Sequence, residues 1–360
     1  MPRYYQPTRK KNKFIIRNKK TAKGLTARER SQVSKIAKGA ITSVAEKKFM
    51  DSAQFTAVQP LRASTTNDTI SCICFSSTTN KSPNGSVLTY GYNAQDSSIR
   101  EQLCLRPFSV DRGNDFPDAD TSNYIIGKEC KPVSCLSKWR IARQAASLDS
   151  ITFLGDSGDV NGSIALGPGQ YPSGLAEACP IVCRVVRFVV KNLAGTDTEY
   201  NPATDLFVNT RGEKFGVNSN GFDQKEMLAY KVNTRRYTTL DDKVFTLQNP
   251  LTVNYTWATQ GGNTTTNTGW WVPQVSNGSA NCEKYLTMNQ MLTQKKHGSV
   301  HYPEPISATY DNAAVGQRRE FTAFHFMYKG ADNLVGASGS LNGPLDVTID
   351  LVNTTKFIDV

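Results

Sequence analysis

Short runs of β-branched and aromatic residues recur along the chain after residue 50, separated by stretches rich in Ser, Thr, Asn and Gly. Runs of this kind, bounded by turn-forming residues, are typical of β-strands. The predicted strands lie within 70–75, 124–143, 150–154, 180–191, 235–247, 284–302, 320–328 and 345–351. Because no helical crossovers connect these runs, the pattern predicts an all-β sandwich or jelly roll, with 180–191 as a central strand.

Residues 26–49 follow a different, helical pattern. Thr26 and Glu29 have the spacing of a capping box, in which a hydroxyl and a carboxylate satisfy backbone donors at the start of a helix. From Val33 onward, apolar residues recur in one stripe with helical spacing, and basic residues lie opposite that stripe. The sequence therefore predicts an amphipathic basic helix over 26–49.

The positive charge of the chain is concentrated at its beginning. Residues 1–50 contain 15 Lys and Arg against only Glu29 and Glu46, whereas the whole chain has a net charge of +11. The remainder is therefore close to neutral. Because a block of like charges repels itself until a polyanion neutralises it, we expect residues 1–25 to form a disordered basic arm that binds nucleic acid.

The candidate nucleic-acid ligands are the cations of this arm and those on the polar face of the helix. They are Arg3, Arg9, Lys10, Lys11, Lys13, Arg17, Lys19, Lys20 and Lys23 in the arm, and Arg28, Lys35 and Lys38 in the helix. Phosphate contacts release counterions, so binding is expected to be strong, independent of base sequence and weakened by salt. The alternative for the basic pairs of the arm is a nuclear-localisation signal.

Neither a membrane span nor a secretory leader is predicted, and no membrane partner is expected. The chain has no apolar run of about 18 residues, and its first residues are basic without an apolar core segment. Without secretion, the eight cysteines are expected to be buried free thiols rather than a disulfide framework.

No catalytic set emerges from the sequence, and we predict that the protein is not an enzyme and needs no organic cofactor. The pentapeptide around Ser157 resembles the nucleophile motif of chymotrypsin-like proteases. In that family the histidine precedes the serine, whereas all three histidines of this chain follow it.

Four closely spaced aspartates are candidate ligands for a structural Ca²⁺ ion. Asp111, Asp115, Asp118 and Asp120 offer the hard oxygen ligands that this cation prefers. They do not follow the order of an EF-hand loop, so a solvated acidic loop is the alternative.

Residues 258–281 are too long and too aromatic for a simple hairpin loop, and we predict that they protrude from the body. Trp270 and Trp271 in their middle are the candidate contact residues. The predicted organisation is an arm (1–25), a helix (26–49), a jelly-roll domain (50–257 and 282–345) interrupted by the insertion 258–281, and a C-terminal strand or tail (346–360).

Several segments between Cys183 and Leu247 carry a family resemblance. They are the strand Arg184-Val-Val-Arg-Phe-Val-Val-Lys191, the segment Pro202-Ala-Thr-Asp205-Leu-Phe, and the run Asn233-Thr-Arg-Arg-Tyr-Thr-Thr-Leu-Asp-Asp-Lys-Val-Phe-Thr-Leu247. Together with the basic start of the chain, they resemble capsid proteins of small circular single-stranded DNA viruses, the circovirus-like group. The long loop at 77–121 and the insertion are closer to the coat proteins of the diatom-infecting bacilladnaviruses.

That resemblance implies an eight-stranded jelly roll with a surface projection, assembled into an icosahedral virion around a single-stranded genome, DNA rather than RNA. It also implies a host nucleus during assembly and a host receptor that the sequence does not identify. Residues 1–50 have a net charge of +13 (15 − 2); if each of these charges pairs with one phosphate, 60 copies neutralise roughly 800 phosphates and 180 copies roughly 2,300. The larger shell suits a genome of a few thousand nucleotides better.

Two other classes of function remain open. One is a cellular nucleic-acid-binding protein with a basic tail, which would form no shells. The other is a β-sandwich carbohydrate-binding protein that uses Trp270 and Trp271 as a platform for sugars.

Overall fold

The computed structural model describes residues 26–44, 47–51, 55–63, 69–77, 86–92, 99–104, 129–144, 180–191, 200–220, 222–259, 269–277, 280–293, 298–301, 318–329 and 343–359. The chain divides into two compact units, Met1–Glu46 and Lys47–Val360. Helix α1 (Ala27–Val44) belongs to the first unit, and every described strand belongs to the second. None of the described helices is both long and apolar enough to cross a membrane.

Helix α1 ends at Val44, so the predicted limit of residue 49 is wrong. Lys47–Asp51 forms strand β1 instead, antiparallel to the C-terminal strand Val347–Asp359, with Lys47 opposite Ile358 and Asp51 opposite Thr354. Residues 47–51 have only a weak helical pattern, so their backbone pairing with the C-terminal strand outweighs their helix propensity.

Sheet 1 is one of two large sheets. Its strands are β1, β2 (Phe55–Val58), β8 (Glu129–Arg143), β16 (Glu283–Asn289), β17 (Val300–His301) and β19 (Val347–Asp359). The order is β1–β19–β8–β16, with β2 also paired to β19 and β17 also paired to β8, and every pair is antiparallel.

Sheet 2 is the larger. Its strands are β3 (Leu61–Arg62), β4 (Ser71–Ser76), β5 (Thr89–Tyr92), β6 (Ile99–Glu101), β7 (Leu103–Cys104), β9 (Ile181–Val190), β13 (Tyr237–Leu247) and β18 (Glu320–Tyr328). The order is β13–β9–β18–β4–β3–β5–β6, and β7 pairs with β4 in parallel. Strand β9 lies between two neighbours, which confirms the prediction of a central strand at 180–191.

The pairing of the long strands is nested. Taken along the chain they are β1 with β2, then β4, β8, β9, β13, β16, β18 and β19. The first pairs with the last, the second with the seventh, the third with the sixth and the fourth with the fifth. The chain therefore doubles back on itself once, between β9 and β13.

Two main clusters of buried residues make the core. One takes residues from both sheets, among them Trp139 of sheet 1 and Phe324 of sheet 2, so the sheets pack face to face. The other lies on the opposite face of sheet 2, against residues 200–232, which we call the covering segment. All nine residues of β18 are buried, which explains why its sequence is mainly apolar on both faces rather than alternating.

The covering segment consists of short elements. They are helix α2 (Pro202–Asp205), β10 (Phe207–Val208), β11 (Lys214–Phe215), helix α3 (Gln224–Ala229) and β12 (Lys231–Val232), with the three strands in one small sheet. The chain passes closely over α2 at Gly216, where a Cβ atom would lie 2.2 Å from the carbonyl oxygen of Ala203. Only glycine allows this approach without displacing the backbone.

The cysteines whose side chains are described are free thiols. Cys72, Cys74, Cys130, Cys135 and Cys183 are buried, which confirms the prediction for these five, whereas Cys282 is free but partly exposed. Cys72 and Cys74 lie in the same core cluster on one face of β4, as their spacing of two residues predicts.

The chain forms a separate two-stranded sheet after β13 and before β16 in sequence. Strands β14 (Leu251–Thr259) and β15 (Gly269–Asn277) pair antiparallel, and a 3₁₀ turn at Ala280–Cys282 leads on to β16. The insertion predicted from residue 258 is thus part of a hairpin that begins earlier, at Leu251. Trp270 and Trp271 stand in strand β15 rather than in the middle of a loop. That this hairpin projects from the body stays a prediction.

Candidate nucleic-acid interface

Helix α1 begins with the capping box that the sequence predicts. The backbone N–H and the hydroxyl of Thr26 both donate to Oε2 of Glu29 at 2.8 Å, and the N–H of Glu29 donates to Oγ1 of Thr26 at 3.3 Å. These bonds satisfy donors that the first helical turn would otherwise leave open. The start of the basic helix is therefore fixed locally by its own sequence.

Cations and apolar residues are both exposed on α1. Arg28 and Lys35 are exposed, and Lys38 lies within the helix. In the apolar stripe, the exposed fraction is 48% for Val33 and 72% for Ile36. The described part of α1 therefore presents positive charge that phosphate groups can meet without rearrangement of the helix.

Many of the predicted site residues lie outside the described residues. These are the arm cations Arg3, Arg9, Lys10, Lys11, Lys13, Arg17, Lys19, Lys20 and Lys23, the aspartates Asp111, Asp115, Asp118 and Asp120, and Ser157. Trp270 and Trp271 are described through their backbone, which stands opposite Ala258 and Trp257. Within the part of the chain that is described, no three metal-binding side chains come together.

Arg184 of β9 fastens the covering segment to sheet 2. Its Nε and Nη2 donate to the two carboxylate oxygens of Asp242 at 2.9 and 2.7 Å. Its Nη1 donates to the carbonyl oxygens of Tyr230, at 2.9 Å, and of Met227, at the end of α3. The guanidinium also lies 4.8 Å from the ring centre of Phe207. One buried cation thus joins β9, β13, β10 and the end of α3.

His325 of β18 is fully buried next to this arginine. Its Nδ1 lies 3.3 Å from the carbonyl oxygen of Arg184, which can only accept, so Nδ1 carries the proton. Its Nε2 then accepts from the Tyr90 hydroxyl at 2.6 Å. Burial, followed by the positive charge of Arg184, lowers the pKa of His325 from 6.5 to about 3, although Asp242 acts in the opposite direction.

We expect this buried neutral imidazole to make folding sensitive to acid. Because the pKa of His325 is lowered in the folded state, the unfolded chain binds a proton at this side chain under conditions in which the folded chain does not. The contribution of the neutral imidazole to the free energy of unfolding is complete above about pH 6.5. It is lost as the pH falls, by about 1.4 kcal/mol per pH unit between roughly pH 6 and 4. Urea unfolding of dissociated native chain and of His325→Gln at several pH values measures the effect. A stability difference between the two that does not change with pH would contradict it.

Two of the segments that carry the family resemblance meet in the structure. Tyr237 donates its hydroxyl proton to Oδ1 of Asp205 at 2.5 Å, and Nε of Arg236 lies 3.4 Å from Oδ2 of Asp205. The side chain of Asn233 donates to the backbone carbonyl of Asp205 at 3.0 Å. Burial raises the pKa of Asp205 despite these partners. The contacts tie α2 to the start of β13, so these motif residues position the covering segment.

That Arg184 and His325 lie side by side in the core was not predicted from the sequence. A signal was present, because each is a polar residue inside a mainly apolar strand run, and buried polar side chains need partners. The partners could not be found in that way, since Asp242, Tyr90 and the end of α3 are distant in sequence.

No family model matches the chain, and no curated protein matches it.

Proposed function

We propose that the protein is a structural capsid protein that assembles with copies of itself into an icosahedral shell and packages a single-stranded genome. The observation that carries this proposal is a polycationic N-terminal segment joined to a β body whose long strands pair in nested order. In this reading the body is an eight-stranded jelly roll, the genome is single-stranded DNA, and the protein works in the virion.

The nested pairing supports the jelly roll. A chain that doubles back once and then winds into two sheets produces the partners first with eighth, second with seventh, third with sixth and fourth with fifth. Winding such a ribbon into two packed sheets is how a jelly roll closes its core. This fold serves capsid and lectin domains alike, so the fold alone does not select the function.

The charge distribution selects among those functions. Fifteen Lys and Arg stand in residues 1–50 of a chain whose remainder is close to neutral, and Arg28 and Lys35 of α1 are exposed. Binding of sugars by a lectin does not require a polycationic segment, whereas packaging of a nucleic-acid genome pairs each positive charge with a phosphate.

The proposed mechanism is stoichiometric. The arms neutralise the phosphates of the single strand, which also lowers the repulsion between neighbouring subunits. The β bodies then associate through many weak contacts that a closed shell makes collectively strong.

Electron microscopy of the purified full-length protein tests the proposal, combined with absorbance at 260 nm and nuclease digestion. We expect uniform shells that hold nuclease-resistant nucleic acid, and their diameter will decide between 60 and 180 copies. Only small species at low salt with single-stranded DNA added would contradict the capsid function and favour a cellular nucleic-acid-binding protein.

A further inference from the structure

The hairpin of β14 and β15 has two unlike faces. Its register places Val253 opposite Val275, Tyr255 opposite Pro273 and Trp257 opposite Trp271. Because residues two apart on a strand share a face, all six positions lie on one face of the hairpin, which we call the apolar face. The positions between them form the opposite face, which is mixed: five are polar (Thr252, Asn254, Thr256, Gln274 and Ser276) and three are apolar (Ala258, Trp270 and Val272).

The hairpin is also free of charge. Between Lys243 and Glu283 the sequence contains no Asp, Glu, Lys, Arg or His, although charged residues make up 20% of the chain. Three of the four tryptophans of the chain, Trp257, Trp270 and Trp271, fall in this interval. Depletion of charge together with enrichment of aromatic residues is the composition of the core of a protein–protein interface.

A two-stranded sheet needs a partner. In the described part of the chain, neither β14 nor β15 pairs with any other strand, and an isolated two-stranded hairpin is only marginally stable in water. Free sheet edges are normally protected by charged residues, and this hairpin has none. The composition of the hairpin and its lack of a further strand partner among the described strands therefore both favour contact with another protein surface.

We propose that the hairpins of neighbouring copies of this chain pack together through their apolar faces around a symmetry axis of the assembly. The inference rests on the proposed capsid function and names one of its subunit contacts. Symmetry brings identical residues of different copies close together, so a charged residue on this face would lie near the same charge in the neighbouring copy and be repelled by it. A charge-free face avoids that repulsion, whereas a nucleic acid or a charged partner protein would call for complementary charge.

Substitutions at adjacent positions of one strand test the two faces of the hairpin one at a time, because adjacent residues of a strand lie on opposite faces. Val275→Glu places a charge on the apolar face, and Gln274→Glu places the same charge on the opposite face of the same strand. We expect Val275→Glu to raise the protein concentration needed for assembly about tenfold or more, because each 1.4 kcal/mol of lost contact energy is a factor of ten. Gln274→Glu is expected to assemble like the native chain. Light scattering measures both, and equal effects would overturn the proposal.

A pair on the other strand repeats the comparison with the opposite charge. Val253→Lys is expected to impair assembly and Asn254→Lys to leave it unchanged. All four variants should bind a single-stranded DNA oligonucleotide as the native chain does, because the basic arm is untouched.

Quenching of tryptophan fluorescence by acrylamide tests the native chain without any substitution. Trp139 is buried in the body, so a change on assembly reports on the hairpin tryptophans, of which Trp257 and Trp271 lie on the apolar face and Trp270 on the opposite face. We expect quenching to decrease when dissociated subunits form shells. Shells that form without any decrease would overturn the hairpin contact and leave the capsid function standing. Absence of shells altogether would overturn the capsid function, and this inference with it.

Discussion

A full-length variant in which the nine lysines and arginines between Arg3 and Lys23 are replaced by glutamine is expected to lose nucleic-acid packaging. Each cation that meets a phosphate contributes about 0.7 to the slope of log K against log salt for a single strand, so the slope should fall by about six. At moderate ionic strength this removes several orders of magnitude of affinity. Filter binding of a single-stranded oligonucleotide across a salt series measures the slope, and nuclease protection measures packaging.

The matched control is an arm with the same residues in scrambled order. Because the proposed interaction is with phosphates rather than with bases, this variant should package as the native chain does. Thermal unfolding of both variants should match the native chain, since the substituted residues precede the described body. A glutamine variant that still protects its genome from nuclease would refute the role of the arm.

Replacing Arg184 by methionine is expected to destabilise the body by about 2–3 kcal/mol, because it removes a buried guanidinium that donates to a carboxylate and to two backbone carbonyl oxygens. The side chain of Arg184 is only 5% exposed, and Asp242 and the carbonyl oxygens of Met227 and Tyr230 all accept from it. Urea denaturation of dissociated subunits measures the loss. We also expect faster proteolysis within the covering segment, because its attachment to sheet 2 depends on these bonds.

Arg140 provides the control for this substitution. It also faces two carboxylates, Glu283 and Asp350, across neighbouring strands, but its side chain is 42% exposed. Exposed ion pairs contribute little, so Arg140→Met should cost about 1 kcal/mol or less. If the two variants lost the same stability, burial would not be the source of the effect at Arg184.

The sequence alone predicts those features that depend on local residues. The capping box of Thr26 and Glu29 predicts the start of α1, because both partners lie within one helical turn. The mainly apolar, aromatic run at 320–328 predicts β18 with the bounds that the structure has, because a run of this length and composition favours a strand over a helix.

Local sequence patterns predict the wrong structure, or none, where contacts with residues distant in sequence decide the conformation. The predicted helix runs past Val44, whereas the ladder with β19 takes residues 47–51 into sheet 1. The covering segment is not predicted, because its apolar residues are spread over helices and strands too short to show a period. Pro202 and Asp205 are visible as a motif, but their partners at Asn233, Arg236 and Tyr237 are visible only in three dimensions.

By itself the sequence determined that this protein is a basic segment followed by a nearly neutral β body, because charge and strand propensity are sums over residues. The nested pairing of the strands, the joining of Arg184 to His325 and the covering segment, and the register of the charge-free hairpin were decided only by the tertiary structure. Each depends on which distant backbone donors and acceptors meet. That choice is made by the burial of the whole core and not by any one segment.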